Sequence, residues 1–161
     1  MRSGGLQRQM EDAAEATDRI RDRAEETRER VRATIRLIEE RLARALDGAP
    51  LRGMREIAKG YWGAHVRATG RFGVDTYVSR GERVLAVGKT GRLELVTRDG
   101  DERVYYESAT GEDLTVLDLQ DYVRTLRIVL RRHIAATQRS ERTHARAADL
   151  AERLQRAMAG A

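Results

Sequence analysis

No cysteine occurs anywhere in the 161 residues, so the chain has no disulfide framework, no thiolate nucleophile and no thiolate metal site. Proline occurs once, at Pro50, and from about Leu6 to Leu46 neither proline nor glycine interrupts the chain. Aromatic residues make up only 4% of the chain, and Trp62, Phe72 and all five tyrosines lie between positions 61 and 122. A conventional core is therefore expected only in the middle, with the flanks relying on Leu, Ile, Val and Ala. No stretch approaches the roughly 18 apolar residues of a membrane span, and residues 1–30 hold no apolar run of the signal-peptide type. These absences lead to the expectation of a cytoplasmic protein, or part of a particle assembled there, with no membrane partner.

What is abundant is charge, at 35% of residues, with a net charge of +5. That proportion is high for a compact globule and ordinary for long exposed helices. The excess is uneven: residues 1–48 carry 11 basic against 11 acidic side chains, and residues 113–161 carry 9 against 6. Arginine supplies 29 of the 31 basic residues, a usage that a GC-rich genome explains without any functional demand.

The apolar pattern is heptad-like at both ends. Met10, Ala13, Thr17, Ile20, Ala24, Thr27, Val31, Thr34 and Ile38 step by threes and fours. So do Leu119, Val123, Leu126, Leu130, His133, Thr137, Ser140, His144, Ala147, Ala151 and Leu154. This spacing predicts two helices of about 40 residues, each with a stripe suited to a neighbouring helix. Pairing them antiparallel gives facing residues whose numbers sum to 164, from Met10 with Leu154 to Ile38 with Leu126, and uses both helices end to end. The expectation is an intramolecular coiled-coil hairpin. Its middle is small and polar (Thr17, Ala24, Thr27, His133, Thr137, Ser140 and His144) and buries little apolar area.

Between the stripes the period changes to two. Gly48 and Pro50 end the first helix; Leu51, Met54 and Ile57 then suggest a short second one closed by Gly60. Strands are expected at 61–68, 74–79, 83–87, 92–97 and 103–107, with Asp99-Gly100 as a hairpin turn, and Leu114–Leu117 as a candidate sixth. Asp118 reads as the N-cap of the last helix. The fold class is therefore α+β: an antiparallel helical hairpin with an inserted antiparallel meander or small barrel of about five strands. The corresponding segments are residues 1–48, 49–117 and 118–161.

No arrangement of side chains specifies a reaction. Gly88-Lys89-Thr90 resembles the end of a phosphate loop, but Arg83 stands where the leading glycine is needed and a strand follows, so a hairpin turn explains it better. His133 and His144 lie three turns apart, roughly 16 Å, too far to hold one ion. His65 falls on the polar face of a strand. Asp118, Asp121, Asp99 and Asp101 are accounted for by helix start and turn. The chain is accordingly expected to be non-enzymatic, without catalytic residues, metal, cofactor or small-molecule substrate.

Outer charges are more informative. Glu11, Glu15, Asp18, Asp22, Glu25 and Glu29 form an acidic stripe on the first helix, and Arg124, Arg127, Arg131, Arg139, Arg142 and Arg146 a basic one on the second. Solvated coiled-coil faces look like this; lateral packing between molecules and phosphate binding are the functional alternatives. No aromatic residue interleaves the arginines to stack on bases, which places assembly ahead of nucleic acid. Tyr61, Trp62, Phe72, Tyr105 and Tyr106 mark the β region as a docking surface or as its own small core. The order long helix, β hairpins, long helix is similar in layout to the subunits of prefoldin-type chaperones, a likeness of architecture that carries no residue roles. The expected protein is thus a structural, assembly or chaperone-like one, a homo-oligomer or a subunit of a larger assembly, with nucleic-acid association as the alternative.

Overall fold

The computed structural model describes residues 3–68, 83–99 and 103–159. Helix α1 (Ser3–Leu46) leads into strands β1 (Arg55–Ala58), β2 (Tyr61–Ala68), β3 (Arg83–Gly88), β4 (Leu93–Asp99) and β5 (Arg103–Ser108). A 3-10 turn (Ala109–Gly111) follows, and helix α2 (Val116–Ala159) completes the α+β fold. The five strands pair antiparallel in chain order, β1 to β5, as a meander. Its ends, β1 and β5, are not paired with one another, so the sheet stays open rather than closing into a barrel. No helix among the described residues is long and apolar enough to cross a membrane.

Local chemistry sets the helix ends. Asp47 and Gly48 both take positive φ, 48° and 75°, which stops α1 one residue earlier. At α2 the cap is Thr115 rather than Asp118. Thr115 Oγ1 accepts from the Asp118 amide at 3.2 Å, while the Asp118 carboxylate accepts from the Thr115 amide at 2.8 Å and from its hydroxyl at 2.7 Å. That reciprocal pair is a capping box with Asp in the third helical position. Val116 and Leu117 consequently form the first turn of α2 and not a sixth strand.

The expected short helix over Leu51–Lys59 is not formed; Arg55–Ala58 within it is strand β1. Its spacing of Leu51, Met54 and Ile57 is helical, but Ile57 and Ala58 are adjacent and both buried. They join Tyr61, Val84, Ala86 and Val96 in a cluster made by strand residues alone. Tertiary packing outweighs the local period here. The expected strand at 74–79 lies outside the described residues.

The main cluster lies on the other face, where Val87, Leu93 and Leu95 meet Val31 and Ile35 of α1 and Tyr122 and Leu126 of α2. Alternation along β3 divides the two cores, with Val84 and Ala86 towards one and Val87 towards the other. Both helices therefore pack on one face of the sheet. Glu39 bridges α1 to the sheet by accepting from the Leu93 amide at 2.8 Å. Burial pushes the Glu39 carboxyl above its ordinary value, and the Leu93 amide only partly opposes this. A raised folded value means that folding favours the protonated acid, so ionisation costs stability as pH climbs through it. In denaturant melts of wild type and Glu39→Gln, the gap should widen in the variant's favour as pH rises above 4.5 and close below it. A gap independent of pH would refute this account.

The described residues do not show the antiparallel hairpin. Met10 and Ile20 are 65% and 69% exposed, and every residue from 5 to 30 is exposed. On α2 all residues from 141 to 153 are exposed too. Only the sheet-proximal parts of the helices are covered, because the sheet supplies more apolar surface there than a small, polar seam can.

Candidate protein-interaction surfaces

The first surface is the pair of helical arms. Thr17, Ala24 and Thr27 are exposed on α1, and the Thr17 and Thr27 hydroxyls turn back to the carbonyls of Ala13 and Arg23, each at 2.8 Å. His144 is exposed on α2, while Thr137 and Ser140 are half-buried. His133 has a structural role: its Nδ1 accepts from the Arg52 amide at 2.9 Å. The seven seam residues are therefore not brought together. Salt bridges on the exposed part of α1 such as Arg21 with Asp18 and Arg30 with Glu26 are short-range and solvent-facing and contribute little, while Arg28 and Arg32 reach Asp113 at 3.9 and 3.8 Å.

The basic stripe is presented as expected in part. Arg124, Arg127, Arg131, Arg139, Arg142 and Arg146 are all exposed. Arg124 pairs with Asp121 one turn away at 3.3 Å, which uses part of its charge locally.

The second surface is a cleft of about 220 Å³ on the β head, lined by Gly60, Tyr61, Trp62, Lys89, Thr90, Glu94 and Tyr106. Three of the five aromatic residues singled out by the sequence meet here. The Tyr61 and Tyr106 rings lie 5.2 Å apart at 43°, and the Lys89 ammonium sits 5.3 Å from the centre of the Trp62 ring. Trp62 is 42% exposed and Tyr106 62%. Tyr105, opposite Thr97 in the β4–β5 ladder, is exposed outside the cleft, and Phe72 lies outside the described residues.

Two glycines touch the side chains of the cleft: Gly63, which the sequence reading did not single out, and Gly88, which it read only as part of a turn. Gly63 and Gly88 are cross-strand partners. A Cβ on Gly88 would fall 2.5 Å from the Glu94 carboxylate, and one on Gly63 would fall 2.9 Å from both the Tyr61 ring and the Val87 carbonyl. Their lack of side chains lets the Tyr61 hydroxyl donate to the Glu94 carboxylate beneath the aromatic wall. Burial, with the Glu94 charge adding to it, pushes the Tyr61 phenol well above its usual range and keeps it protonated. The only sequence signal was the glycine itself inside an alternating strand, which marks close approach by a neighbour.

Comparison with protein-family models, with curated proteins and with solved structures finds no match. The functional reading therefore rests on the geometry alone. Among the described residues no group of three or more His, Asp or Glu side chains is placed to hold a metal ion. Lys89-Thr90 forms the β3–β4 turn, with the Gly91 amide donating to the Gly88 carbonyl at 2.9 Å, and β4 follows immediately. The cleft can grip a neighbouring side chain between aromatic faces, a cation and a carboxylate.

Proposed function

We propose that this is a non-enzymatic structural or assembly protein, chaperone-like in its manner of working, that acts through protein–protein contacts. It is a homo-oligomer or a subunit of a larger cytoplasmic assembly. Coiled-coil pairing of its two stripes occurs between chains, and the aromatic cleft of the β head is an additional docking point. The observation that carries this reading is the 26-residue exposed stretch of α1, residues 5–30, which retains a heptad stripe on which none of the described residues packs. Isolated helices are marginal in water, and most helical stability comes from packing an amphipathic face. A stripe maintained over that length is best explained by a partner helix.

Light scattering across a concentration series tests the proposal. The expected result is a defined oligomer whose population grows with concentration; a strict monomer of 18.2 kDa at high concentration would overturn it. The second reading, association with nucleic acid, draws on the exposure of all six arginines of the α2 stripe. It requires salt-dependent binding to duplex DNA or RNA that disappears when Arg131, Arg139 and Arg142 become Glu.

A further inference from the structure

The cleft of the β head is small and its lining is mixed. About 220 Å³ is bounded by Tyr61, Trp62 and Tyr106 together with Lys89, Thr90 and Glu94. Pockets that bury a whole ligand run to roughly 300–1,000 Å³, so this one suits about one or two residues of a partner chain.

The charges in the cleft oppose one another. Lys89 engages the face of Trp62, while Glu94 accepts from the Tyr61 hydroxyl. A cation gains at Glu94 what it loses at Lys89, and an anion the reverse, so the guest that fits is neutral. The hydrogen-bonding inventory is one-sided. The Trp62 indole N–H, the Lys89 ammonium and the Thr90 and Tyr106 hydroxyls are all donors, and none of them donates to an acceptor among the described residues. Glu94 is the lining side chain that can only accept, and one of its oxygens already takes the Tyr61 hydroxyl. A fitting guest therefore brings carbonyl oxygens, because a donor desolvated against other donors is left unsatisfied. The walls set the last condition. The Tyr61 and Tyr106 rings lie 5.2 Å apart at 43°, and Trp62 and Tyr106 are both exposed, so the faces on offer suit a compact apolar ring.

We infer that the guest is a proline-rich segment of another protein in the polyproline II conformation. Such a segment is uncharged, and its prolines carry carbonyl acceptors without an N–H. Its rings pack on aromatic faces, and its shape is already set, so little conformational entropy is lost on binding. A sugar brings donors as well as acceptors and suits this donor-rich lining less well. The chain itself holds a single proline, Pro50, so a second copy does not supply the guest. The inference rests on the proposed role of the cleft as a docking point and names what docks there.

Trp62 is the only tryptophan of the chain, so its fluorescence reports on the cleft directly. The full-length protein is titrated with a blocked peptide of about eight prolines, an uncharged rod of roughly 25 Å. A Gly/Ser peptide of equal length and a glucose oligosaccharide are titrated in parallel. The expected result is a saturable change in Trp62 emission with the proline peptide alone. Tyr106→Ala should raise the dissociation constant at least about tenfold, as loss of an aromatic anchor does. Lys89→Ala, in the exposed turn, removes one donor and should raise it at least about threefold. Thermal melts establish that each variant keeps its fold. No saturable change at millimolar peptide, an equal response to the Gly/Ser peptide, a response to the oligosaccharide instead, or unchanged affinity in both folded variants would overturn the proline-rich guest. Any of these in a protein that light scattering shows to be oligomeric leaves the assembly reading standing. A strict monomer that still binds the proline peptide overturns that reading and supports this one.

Discussion

Tyr122→Ala is expected to cost about 3–5 kcal/mol, the range for truncating a large buried aromatic side chain, and to lower the melting temperature by roughly 10 °C. Tyr122 is 0% exposed and stands where both helices and the sheet meet. It packs with Val31 and Ile35 of α1 and Leu93 of β4, and its hydroxyl donates to the Gly91 carbonyl. Truncation therefore opens a cavity where both helices and the sheet meet and strands a buried acceptor. Burial pushes the phenol far above its usual range, so the hydroxyl stays a donor at any ordinary pH. Tyr122→Phe keeps the ring and loses only that bond, for about 1–2 kcal/mol. Tyr105→Ala, at a position 52% exposed, provides the contrast. Thermal melts of the three variants should rank in that order, and an effect of Tyr105→Ala equal to that of Tyr122→Ala would refute this view of the core.

The second large effect is expected at Gly91, where alanine should destabilise by about 2–4 kcal/mol through two separable causes. Its φ of 81° lies in the left-handed region, which a Cβ disfavours by about 1–2 kcal/mol. In addition a Cβ would sit 2.0 Å from Cδ2 of Leu42, a side chain packed against the main cluster. Gly48 separates the causes: its φ is 75°, yet nothing lies within 4 Å of where its Cβ would be. Gly48→Ala should therefore cost only the backbone part, about 1 kcal/mol. Denaturant unfolding that gave the two variants equal losses would show that Leu42 yields without penalty.

Both effects fall on the segment where the helices are tied to the sheet, and neither position could be singled out without the fold. Tyr122 sits beside the heptad stripe of α2, and its partners come from positions about thirty and ninety residues away. Lys89-Thr90 was legible as a turn because Arg83 excludes a phosphate loop and a strand follows. That the next residue, Gly91, receives side chains from both helices was not legible, since nothing local encodes where Leu42 or Tyr122 will arrive. The cleft shows the same division. Tyr61, Trp62 and Tyr106 stood out as scarce aromatics, while Gly63, Gly88 and Glu94 became meaningful only when the strand register placed them together.

The sequence by itself determined the α+β class, two long helices and the approximate place of the strands at 61–68, 83–87, 92–97 and 103–107. Those features depend on local periods, on turn residues and on the absence of proline and glycine from the helices, all of which act over a few positions. Only the tertiary structure decided that Arg55–Ala58 is a strand, that Thr115 caps α2, and that both helices lie over one sheet face. Two heptad stripes can be aligned in either sense with similar arithmetic. The choice fell to the open sheet, whose apolar face binds Val31 and Ile35 of one helix and Tyr122 and Leu126 of the other more strongly than the polar seam could bind itself. Residues 5–30 of α1 and 141–153 of α2 are thereby left exposed.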